Sequence, residues 1–244
     1  MAAELASADP QWDYAARITE VRARIVTAET VAGRHGAGVK LLVATKAWDA
    51  TSAAAAVKAG ARLVGESRMQ ELEVKASALK AAGARIHVIG QLQRNKAQIA
   101  VRYADCVQTV DSIELAERLD RLCSEAGRSL DVMIQVNVSG ESSKAGVEPD
   151  EALTLAAAVQ SLPALHVTGF MTIGLNSHDE AAVREGYAKL RSIRDEALIR
   201  SERGELALAD AWELSMGMSH DLEWAIAEGA TLVRAGTAVM GSRS

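Results

Sequence analysis

Residues 39–60 read VKLLVATKAWDATSAAAAVKAG. The segment opens on a nearly continuous apolar run, Val39–Thr45, brings out one charged residue, Lys46, and passes into the alanine-rich stretch Thr51–Ala59, which stops at Gly60. An apolar run without alternation fits a strand buried on both faces, as parallel strands covered by helices are. The alanines and the closing glycine fit a helix and its stop. This unit of strand, polar residue, helix and glycine then recurs along the chain.

Upstream, Ile18, Val21, Ile25 and Ala28 recur at helical spacing within a helix over Trp12–Ala32, which the glycine-rich break Gly33–Gly38 ends. Downstream, apolar runs follow at Arg62–Val64, Arg85–Ile89, Cys106–Val110, Val132–Val138, Leu165–Ile173, Trp212–Leu214 and Thr231–Ala235. Helical patterns separate them at Met69–Ala81, Asn95–Val101, Ile113–Ala126, Glu151–Val159, Glu180–Ile199 and Leu222–Ala227. Eight parallel strands with crossover helices predict a closed (β/α)8 TIM barrel, with an open doubly wound sheet as the alternative. Little chain follows the eighth strand, so the helix at Trp12–Ala32 is expected to fill that gap in the outer ring. The expectation is one domain over residues 1–244, with the N-terminal helix at about 12–32 and the barrel at about 39–241.

Composition agrees with this architecture and narrows the class. The 244 residues are 49% apolar and 24% charged, enough for one barrel and too few for a barrel plus a second domain. A net charge of −5 with no basic block argues against nucleic acid as a partner. The two cysteines, Cys106 and Cys123, make no disulfide framework or zinc spacing. The opening residues carry Glu4, Asp9 and Asp13 and no apolar signal core, and no long apolar run suits a membrane. The expectation is a cytoplasmic protein without membrane partners.

A barrel places its site at the carboxyl ends of the strands. Lys46 follows the first strand, Gly65-Glu66 the second, Gly90-Gln91 the third, Asp111 the fourth, Asn137 the fifth, Met171-Thr172 the sixth, Ser215 the seventh and Gly236-Thr237 the eighth. Lys46 emerges from an apolar strand into a rim that other strands surround, where partial desolvation would favour the neutral amine that forms a Schiff base with an aldehyde. Its position equally fits a lysine that carries its charge to solvent, and spacing does not choose between them. Ser215, Gly236 and Thr237 suit an anion such as phosphate, with residues 237–240 as a short helix beside it. Ser219 reads as a helix N-cap with Asp221 in the first turn. Arg234, inside the eighth strand, needs an acceptor, either a cofactor ring nitrogen or an acid such as Glu213 or Glu66.

Other motifs do not hold. The glycines at Gly33–Gly38 precede a strand, the wrong context for a dinucleotide loop. The five histidines share no metal-ligand spacing. Ser77-Ala-Leu-Lys80 sits on the solvent face of an ordinary amphipathic helix.

In order, LLVATKAW, GESRMQE, HVIGQLQRNK, TVDS, QVNVSGESSKAG, GFMTI, LSMGMSHDLEWAI and VRAGTAVMG resemble the pyridoxal 5′-phosphate homeostasis proteins, the YggS/PROSC family, from about Val39 to Gly241. The resemblance implies a barrel like that of alanine racemase, with pyridoxal 5′-phosphate as cofactor, held as a Schiff base on Lys46. It implies phosphate contacts from Ser215, Gly236 and Thr237 and an arginine, Arg234, facing the pyridine nitrogen. Ser67 and Asn137 complete the candidate cofactor-binding set, with no metal and no assigned catalytic residue. The family commonly has Asn where Ser67 stands, which shortens or removes a side-chain contact there, and IGHLQ appears as IGQLQ with Gln91.

An acid beside the pyridine nitrogen makes the ring a strong electron sink, and arginine cannot supply that proton. Alanine racemase also takes an opposing acid-base residue from a second domain, for which this length leaves no room. The function expected is therefore intracellular pyridoxal phosphate homeostasis by storage, buffering or delivery, without robust turnover. The alternatives are a weak amino-acid racemase using the same cofactor, a Schiff-base aldolase using Lys46 without it, and a regulator that docks on cofactor-dependent apoenzymes. A monomer and a homodimer are both compatible with the sequence.

Overall fold

The computed structural model describes residues 6, 12–141 and 145–242. Glu4 and Asp9, and the Ser142, Ser143 and Lys144 of the fifth-strand motif, lie outside the described residues. The elements run α1 (Tyr14–Val31), β1 (Lys40–Ala44), α2 (Ala50–Lys58), β2 (Leu63–Glu66), α3 (Met69–Ala81), β3 (Arg85–Val88), α4 (Ala97–Tyr103), β4 (Cys106–Val110) and α5 (Ile113–Glu125). They continue with β5 (Leu130–Gln135), α6 (Ala152–Gln160), β6 (Leu165–Met171), α7 (Glu180–Glu202), β7 (Glu213–Ser215), α8 (Leu222–Ala227), β8 (Leu232–Ala235) and α9 (Thr237–Met240). Each strand pairs in parallel with the next, and β8 pairs back onto β1 with Leu42 opposite Arg234. The closed (β/α)8 barrel is thus the observed fold, and the open sheet is excluded.

Local chemistry sets the helix starts. The Asp13 carboxylate accepts the Ala16 N–H to cap α1, and Asp49 accepts from Ser52 N–H to cap α2. On α1, Ile18, Val21, Ile25 and Ala28 are buried, as their spacing predicts. This helix packs against α2, α8 and α9, closing the outer ring where the last strand has no long helix of its own. Arg34 donates to the carbonyls of Ile226 and Ala230, and the Trp12 indole N–H donates to the Val239 carbonyl, tying both ends of α1 to the end of the chain.

Two strands stop two or three residues before their apolar runs do. β5 ends at Gln135 because the Asn137 N–H turns away to the Val147 carbonyl, so the backbone leaves the ladder. β6 ends at Met171, and Ile173 beyond it is exposed. Apolar composition records burial, and hydrogen bonding records where pairing stops.

At Gly169 a Cβ would lie 2.0 Å from the Glu213 carbonyl oxygen, so β6 approaches β7 more closely than any side chain allows. Gly169→Ala is therefore expected to cost about 1–3 kcal/mol by overpacking. In a chain of this size that lowers Tm by about 2–4 °C per kcal/mol. A variant melting with the wild type would show that this contact is not the constraint.

Candidate functional site

Lys46 lies just beyond β1 and is exposed. Of the two placements the sequence leaves open for Lys46, the structure gives the solvent-exposed one. The backbone beside it is held from below. The Thr45 hydroxyl donates to Glu66 Oε1 at 2.6 Å, and Lys75 Nζ donates to the Thr45 carbonyl at 3.0 Å. Ala47 has φ 66°, a left-handed conformation that a Cβ disfavours, and its N–H donates to Glu71 Oε2 at 2.6 Å. Lys75 and Glu66 are fully buried and paired at 2.8 Å. Burial pushes the Glu66 carboxyl above its ordinary pKa, against the opposing pull of Lys75.

A cavity of about 360 Å³ opens here, and its wall includes Lys46, Ser67, Gly236 and Thr237, with Trp48 and Arg68. Four candidates from three strand ends thus meet in one place. Gly236 occupies the N-cap position of α9, the short helix expected at residues 237–240. Ser67 is backed by Gly90, where a Cβ would lie 2.4 Å from the Ser67 carbonyl oxygen, so only glycine lets the third strand's loop support it.

Arg234 and Ser215 do not border this cavity; both are buried in the barrel wall, on β8 and β7. Arg234 is buried, and neither suggested acid reaches it, since Glu213 pairs with Lys40 and Glu66 with Lys75. Its Nη1 donates to the Ser215 carbonyl at 2.8 Å and hydroxyl at 2.7 Å, and its Nη2 donates to the Thr172 carbonyl at 2.6 Å. Desolvation lowers its pKa, while Tyr187 and Asp221 act in the opposite sense. The Ser215 hydroxyl donates to Gln108 Oε1 at 2.7 Å, and Gln108 Nε2 contacts His87 Nδ1 at 2.7 Å. Because the amide nitrogen can only donate, this histidine nitrogen accepts. A polar line therefore crosses the barrel interior from β8 to β3. Thr172 was placed at the sixth strand's end by the sequence, but Gln108 and Lys75 were not singled out; a glutamine inside an otherwise largely apolar strand was the one available sign.

Two further candidates sit elsewhere. The Asn137 side chain donates to the Glu141 carbonyl at 3.0 Å and accepts the Ser139 hydroxyl at 2.8 Å, tying up the loop after β5, and it borders a different cavity. Ser219 is not the cap of α8. Asp221 holds the N-cap position, and its buried carboxylate accepts from Met218 N–H at 2.6 Å and from the Tyr187 hydroxyl at 2.8 Å, while the helix itself keeps the Leu222–Ala227 bounds read from the sequence. Ser77 and Lys80 are exposed, as expected of a solvent face. A larger cavity of about 650 Å³ lies at the opposite, amino-terminal mouth, bordered by strand-start residues such as Lys40, Arg85 and Asp131. None of the candidate residues borders it.

The sequence profile of the alanine racemase N-terminal domain matches residues 19–244. The pyridoxal phosphate homeostasis protein of Pseudomonas aeruginosa is 40% identical over 229 residues, covering 94% of this chain and 95% of that protein. The protein of the same name from Escherichia coli K12 is 35% identical, covering 95% and 97%. The chain belongs to the pyridoxal phosphate homeostasis proteins. Among solved structures, PipY of Synechococcus elongatus, solved with pyridoxal phosphate bound, matches this family member with a TM-score of 0.79 at 32% identity, covering 93% of this chain and all of that one. Alanine racemase of Clostridium difficile shares the fold with a TM-score of 0.68 at 14% identity, over 91% of this chain and 56% of its own. The expected family and barrel type are therefore correct.

Burial lowers the His87 pKa from 6.5 to about 3. The unfolded chain takes up this proton more readily, so His87 contributes no penalty above pH 6.5 and destabilises the fold as pH falls from there toward 3. The slope approaches about 1.4 kcal/mol per pH unit. Denaturant titrations from neutral pH downward are expected to show His87→Gln losing stability less steeply than wild type. Identical slopes would mean that this imidazole does not resist protonation.

Proposed function

We propose that this protein binds pyridoxal 5′-phosphate and serves its homeostasis as a store, buffer or carrier, with Lys46 holding the cofactor as a Schiff base. The observation that carries this reading is the cavity in which Lys46 faces Gly236 and Thr237. Its volume lies within the usual range for small-molecule sites, and its wall offers an amine for an aldehyde together with a hydroxyl and a glycine backbone for an anion. The donor set therefore fits the cofactor named in the relatives. In this reading Gly236 and Thr237 receive the phosphate, and Ser67 contributes a short hydroxyl to the wall.

Arg234 serves as the group facing the ring nitrogen. Three of its five N–H groups are spent on Ser215 and Thr172, which leaves donors to spare. Ser215 acts one step removed, by holding the guanidinium, and Asn137 by fixing the loop after β5. When bound, the cofactor supplies an electrophilic aldehyde; beside an arginine its ring nitrogen stays unprotonated, so the ring is a weak electron sink and turnover is small. The protein acts in the cytoplasm as a single domain and passes cofactor to apoenzymes. Among the described residues, no helix is long and apolar enough to cross a membrane.

Purified protein incubated with pyridoxal 5′-phosphate is expected to develop a visible absorbance band that borohydride bleaches, with the reduced adduct on the Lys46 peptide. Lys46→Ala should lose the band and keep weaker, non-covalent binding. A wild-type protein that stays colourless with added cofactor would refute the reading, as would an adduct mapped to another lysine.

A further inference from the structure

We propose that Glu71 and Lys75 are positioning residues that fix the backbone on both sides of Lys46, so that its amine is presented to an aldehyde in one orientation. The inference rests on Lys46 being the covalent attachment point. Both side chains reach from α3 to the Lys46 turn, Glu71 to the Ala47 N–H and Lys75 to the Thr45 carbonyl.

The peptide groups flanking Lys46 make these contacts. On its amino side, the Thr45 carbonyl accepts from Lys75 Nζ at 3.0 Å, and the Thr45 hydroxyl donates to Glu66 at 2.6 Å. On its carboxyl side, the Ala47 N–H donates to Glu71 Oε2 at 2.6 Å. Glu71 and Lys75 stand one helical turn apart and therefore share a face of α3. Lys75 Nζ lies 3.5 Å from Glu71 Oε2 and 2.8 Å from Glu66, so one fully buried ammonium binds both carboxylates together. Glu71 Oε1 is in turn held by Arg68 at 3.1 Å.

A buried lysine with three oxygen acceptors is costly to assemble and strongly directional once assembled. A non-glycine residue at positive φ persists only where its surroundings over-determine it, and Ala47 at 66° directly follows Lys46. The charged cluster supplies that determination. Lys46 itself is exposed, so the packing that orients a buried side chain is missing, and backbone placement has to set the direction of its stem. Misplacing a reacting group by about 1 Å can cost on the order of a hundredfold in rate.

The test separates placement of the amine from integrity of the cavity. Covalent capture of pyridoxal 5′-phosphate is followed by stopped-flow absorbance. Affinity for pyridoxine 5′-phosphate, which keeps the ring and phosphate but has no aldehyde, is followed by calorimetry. Glu71→Ala is expected to slow capture about tenfold or more; because Glu71 also borders the cavity, the quantity read is this loss of rate relative to the change in affinity for pyridoxine 5′-phosphate, which is expected to be much the smaller of the two. Glu71→Gln, whose amide oxygen still accepts from Ala47, should recover most of the rate. The paired change Glu66→Gln with Lys75→Met removes the donor to the Thr45 carbonyl and neutralises Glu66 with it, leaving Glu71 to Arg68 and the Ala47 N–H, and it is expected to slow capture as well, so the result does not depend on one variant folding. Capture at the wild-type rate in either variant would overturn the proposal, as would a parallel loss of pyridoxine 5′-phosphate binding. Lys46→Ala is run alongside: if it still captures the aldehyde, the attachment point is wrong and the inference falls with it. If it does not, an unchanged Glu71→Ala refutes the positioning role alone.

Discussion

The pairing of β8 with β1 is the contact on which the site depends. It sets Leu42 beside Arg234 and Val43 beside Ala235, so the two strands run out together at the same mouth. Lys46 leaves one of them and Gly236-Thr237 leaves the other. Without closure these residues would stand at opposite edges of an open sheet. The cavity between them is therefore a product of barrel closure, and α1 supports it from outside by packing on α8 and α9.

Two buried cations inside and beside this barrel are accommodated in different ways. Lys75 is matched by the carboxylates of Glu66 and Glu71, which makes a compact ion cluster beneath the Lys46 turn. Arg234 has carbonyl and hydroxyl oxygens in contact and no carboxylate within reach. A buried charge needs compensation, and hydrogen bonds from carbonyls give part of it while leaving the local field positive. The carboxylates beside Lys75 make a neutralised cluster that fixes backbone, whereas Arg234 is held by neutral oxygens, with Asp221 acting on it only through space.

The line from Arg234 through Ser215 and Gln108 to His87 shows how a polar path survives in an apolar interior. Each member has its demand met by the next, and burial holds His87 neutral so that the end of the line adds no charge. Its members come from β8, β7, β4 and β3, so no local stretch of chain encodes it. Sequence alternation on β4 shows only that Gln108 shares a face with Cys106.

Repetition of apolar run, polar residue, helix and glycine was enough to read the element order, the barrel, the role of α1 and the location of Lys46, Gly236 and Thr237 at strand ends. Those features follow from periodicity and from the rule that parallel strands need crossover helices, both of which are local or topological. The cap of α8 at Asp221 and the end of β5 at Gln135 were misread, and the exposure of Lys46 was left open, because each depends on a hydrogen bond or turn whose partner is remote or whose φ the residue type does not announce. The partners of Arg234 and the buried Glu66, Glu71 and Lys75 cluster were likewise hidden. Charged letters in a sequence do not say which way they face. Strand count and spacing place a residue at a rim, but only closure of the barrel decides which rim residues meet and which charges are taken out of water.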